Sequence, residues 1–210
     1  QLLPMLLAKC GLLMVKLSPM LHWQQAIAQL QEHGAWVSQL HIVSAKNECK
    51  ELLFLITDGQ NKEQSASPSA VQSLSLSAGQ SEQLHTTPQE SPAPQQATDA
   101  ANSTHITCHN DGHSFQYSLA EADATPQAIL QTPPQAGMYL FEPNASIMKA
   151  GCFGLLCSRL GVQTIASNSH LFVANNDIPT FPGRRFKLVA ATSFNKRNLK
   201  TALQNISQAN

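Results

Sequence analysis

Apolar and polar positions divide the chain into three unlike stretches. Residues 11–17 (GLLMVKL) form a short, nearly continuous apolar run, which predicts a strand covered on both faces. Ser18 and Pro19 then offer an N-cap and a first-turn proline, and Met20, Trp23, Ile27 and Leu30 recur at helical spacing. Gly34 suits the residue that closes such a helix. Residues 36–43 (WVSQLHIV) and 52–57 (LLFLIT) predict two further strands around a polar turn at 44–48.

Residues 59–103 break this pattern. Runs such as QSASPSAVQSLSLSAGQSEQ and PQESPAPQQATDAA hold few large apolar side chains and no repeat. Too little burial is on offer there to offset the entropy of ordering, so a disordered Gln/Ser/Pro-rich linker or insertion is predicted.

Pattern returns over 104–210. Residues 138–142 (MYLFE) predict a strand and PNAS a turn. Residues 147–160 predict a helix that tolerates Gly151 and Gly154 and closes at Gly161. Residues 170–174 and 186–192 predict strands, and Asn195 caps a last helix over 196–206. Ile106, Cys108, Phe115 and Tyr117 flank Asn110-Asp111-Gly112 as two strand pieces of a hairpin. The predicted class is mixed α/β.

Composition sharpens this division. Charged residues make up 12% of the 210 residues, about half the usual share of roughly a quarter. The deficit is local, because no Lys or Arg occurs between Lys62 and Lys149. Residues 1–17 lack the basic start and small-residue cleavage site of a signal peptide, and Pro4, Lys9 and Lys16 interrupt them. They fall short of a membrane span and read as buried core whose upstream neighbours are missing. Five scattered cysteines, an odd number with no C-x-x-C pair, argue against a disulfide framework and for a reducing cytoplasm.

Several constellations carry possible chemistry. His105, Cys108, His109 and His113 have loose metal spacing, but no second ligand pair accompanies them, so a hairpin with exposed histidines is the simpler account and no metal site is assigned. Lys16 and Ser18 stand at the carboxyl end of a predicted strand, where open α/β sheets place ligands, although a helix cap accounts for them too. Asn144 to Ser146 lead into a helix bearing Lys149, which suits either an anion contact or a plain cap. His41, Glu48, Cys49 and Glu51 show no defined pairing and read as structural.

The charge balance of the last stretch is the clearest hint of function. Lys149, Arg159, Arg184, Arg185, Lys187, Lys196, Arg197 and Lys200 face Asp177 as the single acid, with Phe181, Phe186 and Phe194 among them. Cations that neutralise phosphates beside aromatics that stack on bases are what RNA binding requires, and these eight are the candidate RNA contacts. A solvated basic face with core phenylalanines is the bland alternative.

Three separated motifs in order resemble bacterial class I SAM-dependent methyltransferases with a C-terminal THUMP-like domain. They are LMVKLSPMLHW (13–23) with LHIVSAKNECKELLFLI (40–56), then YLFEPNASIMKAGCF (139–153) with NSHLF (168–172), then FPGRRF (181–186). The resemblance implies that residues 1–58 are the C-terminal end of a Rossmann-like sheet. Such a sheet closes with a parallel strand, a helix and a hairpin whose last strand runs antiparallel. It implies a small α+β THUMP-like domain over 104–210. No G-x-G turn and no N-P-P motif occurs in the chain, so S-adenosyl-L-methionine and the catalytic residues are expected in an upstream half. The implied activity is methyl transfer to RNA by the parent enzyme, with little activity or SAM affinity in this chain alone. A non-enzymatic RNA-binding or adaptor module is the alternative. No membrane partner is expected.

Overall fold

The computed structural model describes residues 2–58 and 103–204. The linker expected over 59–103 therefore falls outside the described residues except for Ser103. Among the described residues nine strands form two sheets, a five-stranded sheet of order β1-β3-β2-β4-β5 and a four-stranded sheet of order β7-β8-β6-β9.

The first sheet is built from β1 (Leu12–Leu17), β2 (Ala35–Ala45), β3 (Glu48–Asp58), β4 (His105–Asn110) and β5 (His113–Ser118). Helix α2 (Trp23–Glu32) carries the chain from β1 to β2. β3 then turns back and pairs antiparallel with both β2 and β1. β1 and β2 thus run in the same direction with β3 wedged between them. This is the strand, helix and closing hairpin that the sequence pattern predicts. β4 adds parallel to β2, and β5 antiparallel to β4, so this sheet takes strands from both sides of 59–103.

Alternation explains the sheet's two faces, since neighbouring residues on a strand point to opposite sides, and a β-bulge between Val37 and Gln39 brings Val37 onto the face of Leu40 and Ile42. Val37, Leu40 and Ile42 of β2, Leu52, Phe54 and Ile56 of β3, and Ile106 and Cys108 of β4 are buried. The intervening residues, among them His41, Leu53, Leu55 and His109, stay half-buried.

Both hairpin turns are two-residue turns with positive φ, the geometry that matches strand twist. Asp111 and Gly112 (φ 46° and 85°) make the expected one. At the β2–β3 turn, Lys46 and Asn47 (φ 53° and 56°) adopt the same conformation without a glycine. Asp111 compensates by accepting the Lys46 N–H on its two carboxylate oxygens at 2.9 and 3.0 Å.

The second half begins with α3 (Leu119–Ala124) and continues through β6 (Tyr139–Pro143), α4 (Ala145–Ala150), α5 (Phe153–Leu160), β7 (Gln163–Thr164), β8 (Phe172–Ala174), β9 (Gly183–Lys187) and α6 (Lys196–Ala202). One contiguous cluster of buried side chains joins Leu40, Ile42 and Phe54 to Ile147, Leu156, Phe141, Phe172 and Phe181, so the two sheets share a core. Helix α4 is the link. It packs on β2, β3 and β4, the Trp23 indole donates to its Lys149 carbonyl at 3.1 Å, and Asn47 Oδ1 accepts from Ala145 N–H at 2.8 Å.

Five expectations need correction. Residues 2–10 form a helix, α1, in which Leu2 and Met5 are exposed and Leu7 alone is buried, rather than a buried core segment. β1 lies at an edge of the sheet among the described residues, with alternately exposed and half-buried positions, so it is not covered on both faces. Ser18-Pro19 makes a turn, not the first helical turn: Leu21 N–H bonds the Ser18 carbonyl at 3.1 Å, and α2 starts only at Trp23, leaving Met20 84% exposed. The single helix expected over 147–160 is two, because Gly151 turns left-handed (φ 73°) and ends α4. The strand expected at 186–192 lies earlier, at Gly183–Lys187, where β9 pairs with β6 along its full length. Gly34 (φ 77°) and Gly161 (φ 67°) close their helices as expected.

Candidate nucleic-acid interface

β9 occupies an edge of the second sheet, and all five of its residues are exposed. Its closeness to β6 depends on Gly183: a Cβ there would stand 2.0 Å from the Glu142 carbonyl oxygen, where no side chain fits. The strand then presents Arg184, Arg185, Phe186 and Lys187 in succession. Together with Tyr139 and Asp177 they line an open depression of about 440 Å³.

The cations of this strand are differently engaged. Arg184 pairs with Glu142, its register partner on β6, at 2.5 Å and lies 5.8 Å from the Phe186 ring centre. Arg185 grips both oxygens of Asp177 at 2.7 and 2.8 Å. The Lys187 ammonium stands 6.0 Å from the centre of the Tyr139 ring, and among the described residues no carboxylate lies within ion-pair distance of it. Three cations against two carboxylates leave a positive excess along an edge strand whose two sides each offer an aromatic ring, Tyr139 beside Arg185 and Lys187 and Phe186 beside Arg184. Such a surface can neutralise phosphate and stack a base.

The other expected contacts separate from this cluster. Lys196, Arg197 and Lys200 lie on α6, a short helix with no buried residue, capped by Asn195 Oδ1 accepting from Asn198 N–H at 2.9 Å. Phe194, just ahead of it, is 95% exposed. Lys149 and Arg159 have internal duties instead. The Lys149 ammonium donates to the Leu21 carbonyl at 2.8 Å, tying α4 to the turn before α2. Arg159 is held by Glu121 and by the Gln116 carbonyl. The helix start at Asn144 is likewise occupied: Asn144 Oδ1 accepts from Ile147 N–H and from the Ser146 hydroxyl. Cap and lysine there serve packing, which is the bland reading of that motif.

At the carboxyl end of β1, Lys16 pairs with Glu51 at 2.9 Å and Ser18 Oγ accepts from Met20 N–H at 3.2 Å. The histidine-rich hairpin divides between the two faces of the first sheet. Cys108 is buried, its thiol pushed up by a hydrogen bond with Cys152 and by burial. His109 lies on the opposite face against His41, a residue that no sequence spacing connects to it. Among the described residues no group of three or more His, Cys, Asp or Glu could hold a metal ion, and no helix is long and apolar enough to cross a membrane.

The comparisons with known proteins bear on both halves. Residues 139–182, from β6 to the threshold of β9, match the family model of a ferredoxin-like domain. Across its length the fold is that of a solved structure, a putative methyltransferase from Porphyromonas gingivalis W83. The TM-score is 0.68 and the identity 24%, with 99% of this chain and 42% of that one covered. The chain therefore spans less than half the length of the protein whose fold it shares. No curated protein matches it by sequence.

Proposed function

We propose that the chain is the C-terminal part of a SAM-dependent methyltransferase acting on RNA, with the cofactor turn and catalytic residues in a preceding half. Two observations support the methyltransferase part: the fold shared with a protein described in those terms over 42% of its length, and the wedging of β3 between the co-directional β1 and β2. In this reading β1, α2, β2 and β3 are the end of a Rossmann-like sheet, which β4 and β5 from beyond residue 103 extend, and the ligand edge lies at the carboxyl end of β1, near Lys16 and Ser18. The second half, with its ferredoxin-like segment, acts as a THUMP-like RNA-holding module.

The RNA part rests on β9, where Arg184, Arg185 and Lys187 flank Phe186 on a fully exposed edge strand. α6 adds Lys196, Arg197 and Lys200 in the residues that follow. Methyl transfer is an in-line displacement, so the contribution of such a module is to position the acceptor. Lys149 and Arg159 drop out of the proposed contact set because neither lines the β9 depression: Lys149 is tied to the Leu21 carbonyl, and Arg159 is held by Glu121 and the Gln116 carbonyl.

The test takes this chain and the full-length protein side by side. Fluorescence anisotropy on labelled single-stranded RNA should give binding by both, weakening linearly on a log–log salt plot. Calorimetry should detect SAM binding to the full-length protein only, and methyl transfer to RNA should need it too. Salt-insensitive or absent RNA binding would remove the RNA assignment. RNA binding without SAM affinity in the full-length protein would instead leave a non-enzymatic adaptor.

A further inference from the structure

The parallel pairing of β2 with β4 sets His41 opposite Thr107 and Val43 opposite His109. His41 and His109 are thus diagonal neighbours on one face of the sheet, both half-buried, on the side opposite the buried Leu40, Ile42 and Cys108. Their rings stack with centres 5.3 Å apart, and His41 Nδ1 lies 3.0 Å from His109 Nε2. On its other side, His41 Nε2 meets Gln39 Oε1 at 3.3 Å.

We propose that His41 and His109 form a two-imidazole binding site for a divalent late transition metal of tetragonal preference, the copper(II) and nickel(II) class. Two imidazole nitrogens bound to one ion at roughly 2.05 Å and separated as these are subtend close to a right angle, about 94°. That is the angle between adjacent ligands in square-planar and octahedral coordination. A tetrahedral zinc site would hold the nitrogens some 0.3 Å further apart by the same arithmetic. The nitrogen spacing matches tetragonal better than tetrahedral geometry; in the hydrogen bond the two nitrogens face each other, so each ring turns by roughly 43° to aim its lone pair at a shared ion, and water completes the coordination.

Gln39 supplies the outer support that ligating histidines usually have. When His41 Nε2–H donates to the Gln39 carbonyl oxygen, the Nδ1 lone pair is left facing His109. Metal binding then needs His109 to carry its proton on Nδ1 and both rings to turn about their side-chain bonds towards the ion. Adjacent strands of a well-packed sheet hold the two rings, which lowers the ordering cost of bringing the ligands together. Cys108, next to His109 in sequence, takes no part, because it points into the core.

Nickel(II) is the probe, since it is redox-inert towards the thiols. Calorimetric titration of the chain, after alkylation of exposed thiols, should show one site. His41→Ala and His109→Ala should each weaken it at least tenfold, and Gln39→Ala several-fold. His105→Ala, on the same face and exposed, should leave it unchanged. Circular dichroism establishes that each variant is folded, and paramagnetic broadening of the His41 and His109 ring signals in the unmodified chain gives a readout that needs no variant. Equal affinity in the His41→Ala/His109→Ala double variant, a larger loss in His105→Ala than in His109→Ala, or broadening confined to other histidines would overturn the assignment.

Discussion

The Arg159 guanidinium clasps Glu121 across α5 and α3, with Nη2 2.6 and 2.7 Å from the two carboxylate oxygens and Nε 3.2 Å from one of them. It also donates to the Gln116 carbonyl at 2.7 Å and lies 5.1 Å over the Phe115 ring. Counted in the sequence among RNA-facing cations, it is a brace between α5, α3 and β5. Arg159→Ala should cost stability, about 1 kcal/mol for a bidentate but partly solvated pair with one further hydrogen bond. Its affinity for RNA should stay at the parent value. Urea denaturation and anisotropy on the same sample decide this: an unchanged midpoint with weakened RNA binding would return Arg159 to the interface.

Lys187 should behave in the opposite way. Among the described residues it has no carboxylate partner to lose, so Lys187→Ala should leave the urea midpoint within about 0.5 kcal/mol. If β9 contacts phosphate, the same change should lower RNA affinity and reduce the salt slope by about 0.7, the share of one phosphate contact on a single strand. Arg185→Ala mixes both effects because it also frees Asp177, whose negative charge then repels the ligand. A slope unaltered in Lys187→Ala would place the phosphate elsewhere.

How much of this was legible beforehand depends on whether a feature is local. The Asp111-Gly112 hairpin, the Gly34 and Gly161 helix ends and the Asn195 cap each follow from side-chain chemistry within a few residues, and each stands where the pattern puts it. The break at Gly151 was hidden because a glycine inside an apolar periodic run reads equally as a tolerated helical residue. The β9 position was missed because the apolar letters of 186–192 outweighed Gly183, whose missing side chain lets the strand approach Glu142. Pairings across long separations were out of reach altogether. Nothing in sequence links His41 to His109, Trp23 to the Lys149 carbonyl, or Arg159 to Glu121. For that reason the basic residues could be counted, but those used internally could not be told from those left at the surface.

Gly154 tests the close packing that β9 and α5 share as a device. In α5 an alanine would by itself favour the helix by about 1 kcal/mol over glycine. Here its Cβ would stand 1.9 Å from the Thr125 carbonyl oxygen, a backbone atom that cannot swing aside. α5 or the 125–126 segment must shift, and overpacking of this kind costs about 1–3 kcal/mol. Gly154→Ala should therefore lower the thermal midpoint, whereas a rise would mean that the segment after α3 yields freely.

Cys157 supplies a pH dependence whose sign follows from burial. The thiol is buried and points to the Ala128 carbonyl at 3.8 Å, a weak contact that requires the proton. Burial pushes its pKa above the ordinary value of 9.0. The unfolded chain thus loses this proton at lower pH than the folded one, and the folded state binds more protons above about pH 9. Stability from this group is complete below that value and declines as pH rises towards the folded pKa. Urea midpoints measured from pH 7 to 10 should fall at the alkaline end, and Cys157→Ala should flatten part of that fall. The same burial should protect Cys157 from iodoacetamide at pH 8 while exposed Cys10 is modified first, which peptide mass spectrometry reads directly. Modification of Cys157 at the rate of Cys10 would show that α5 opens far more readily than its packing implies.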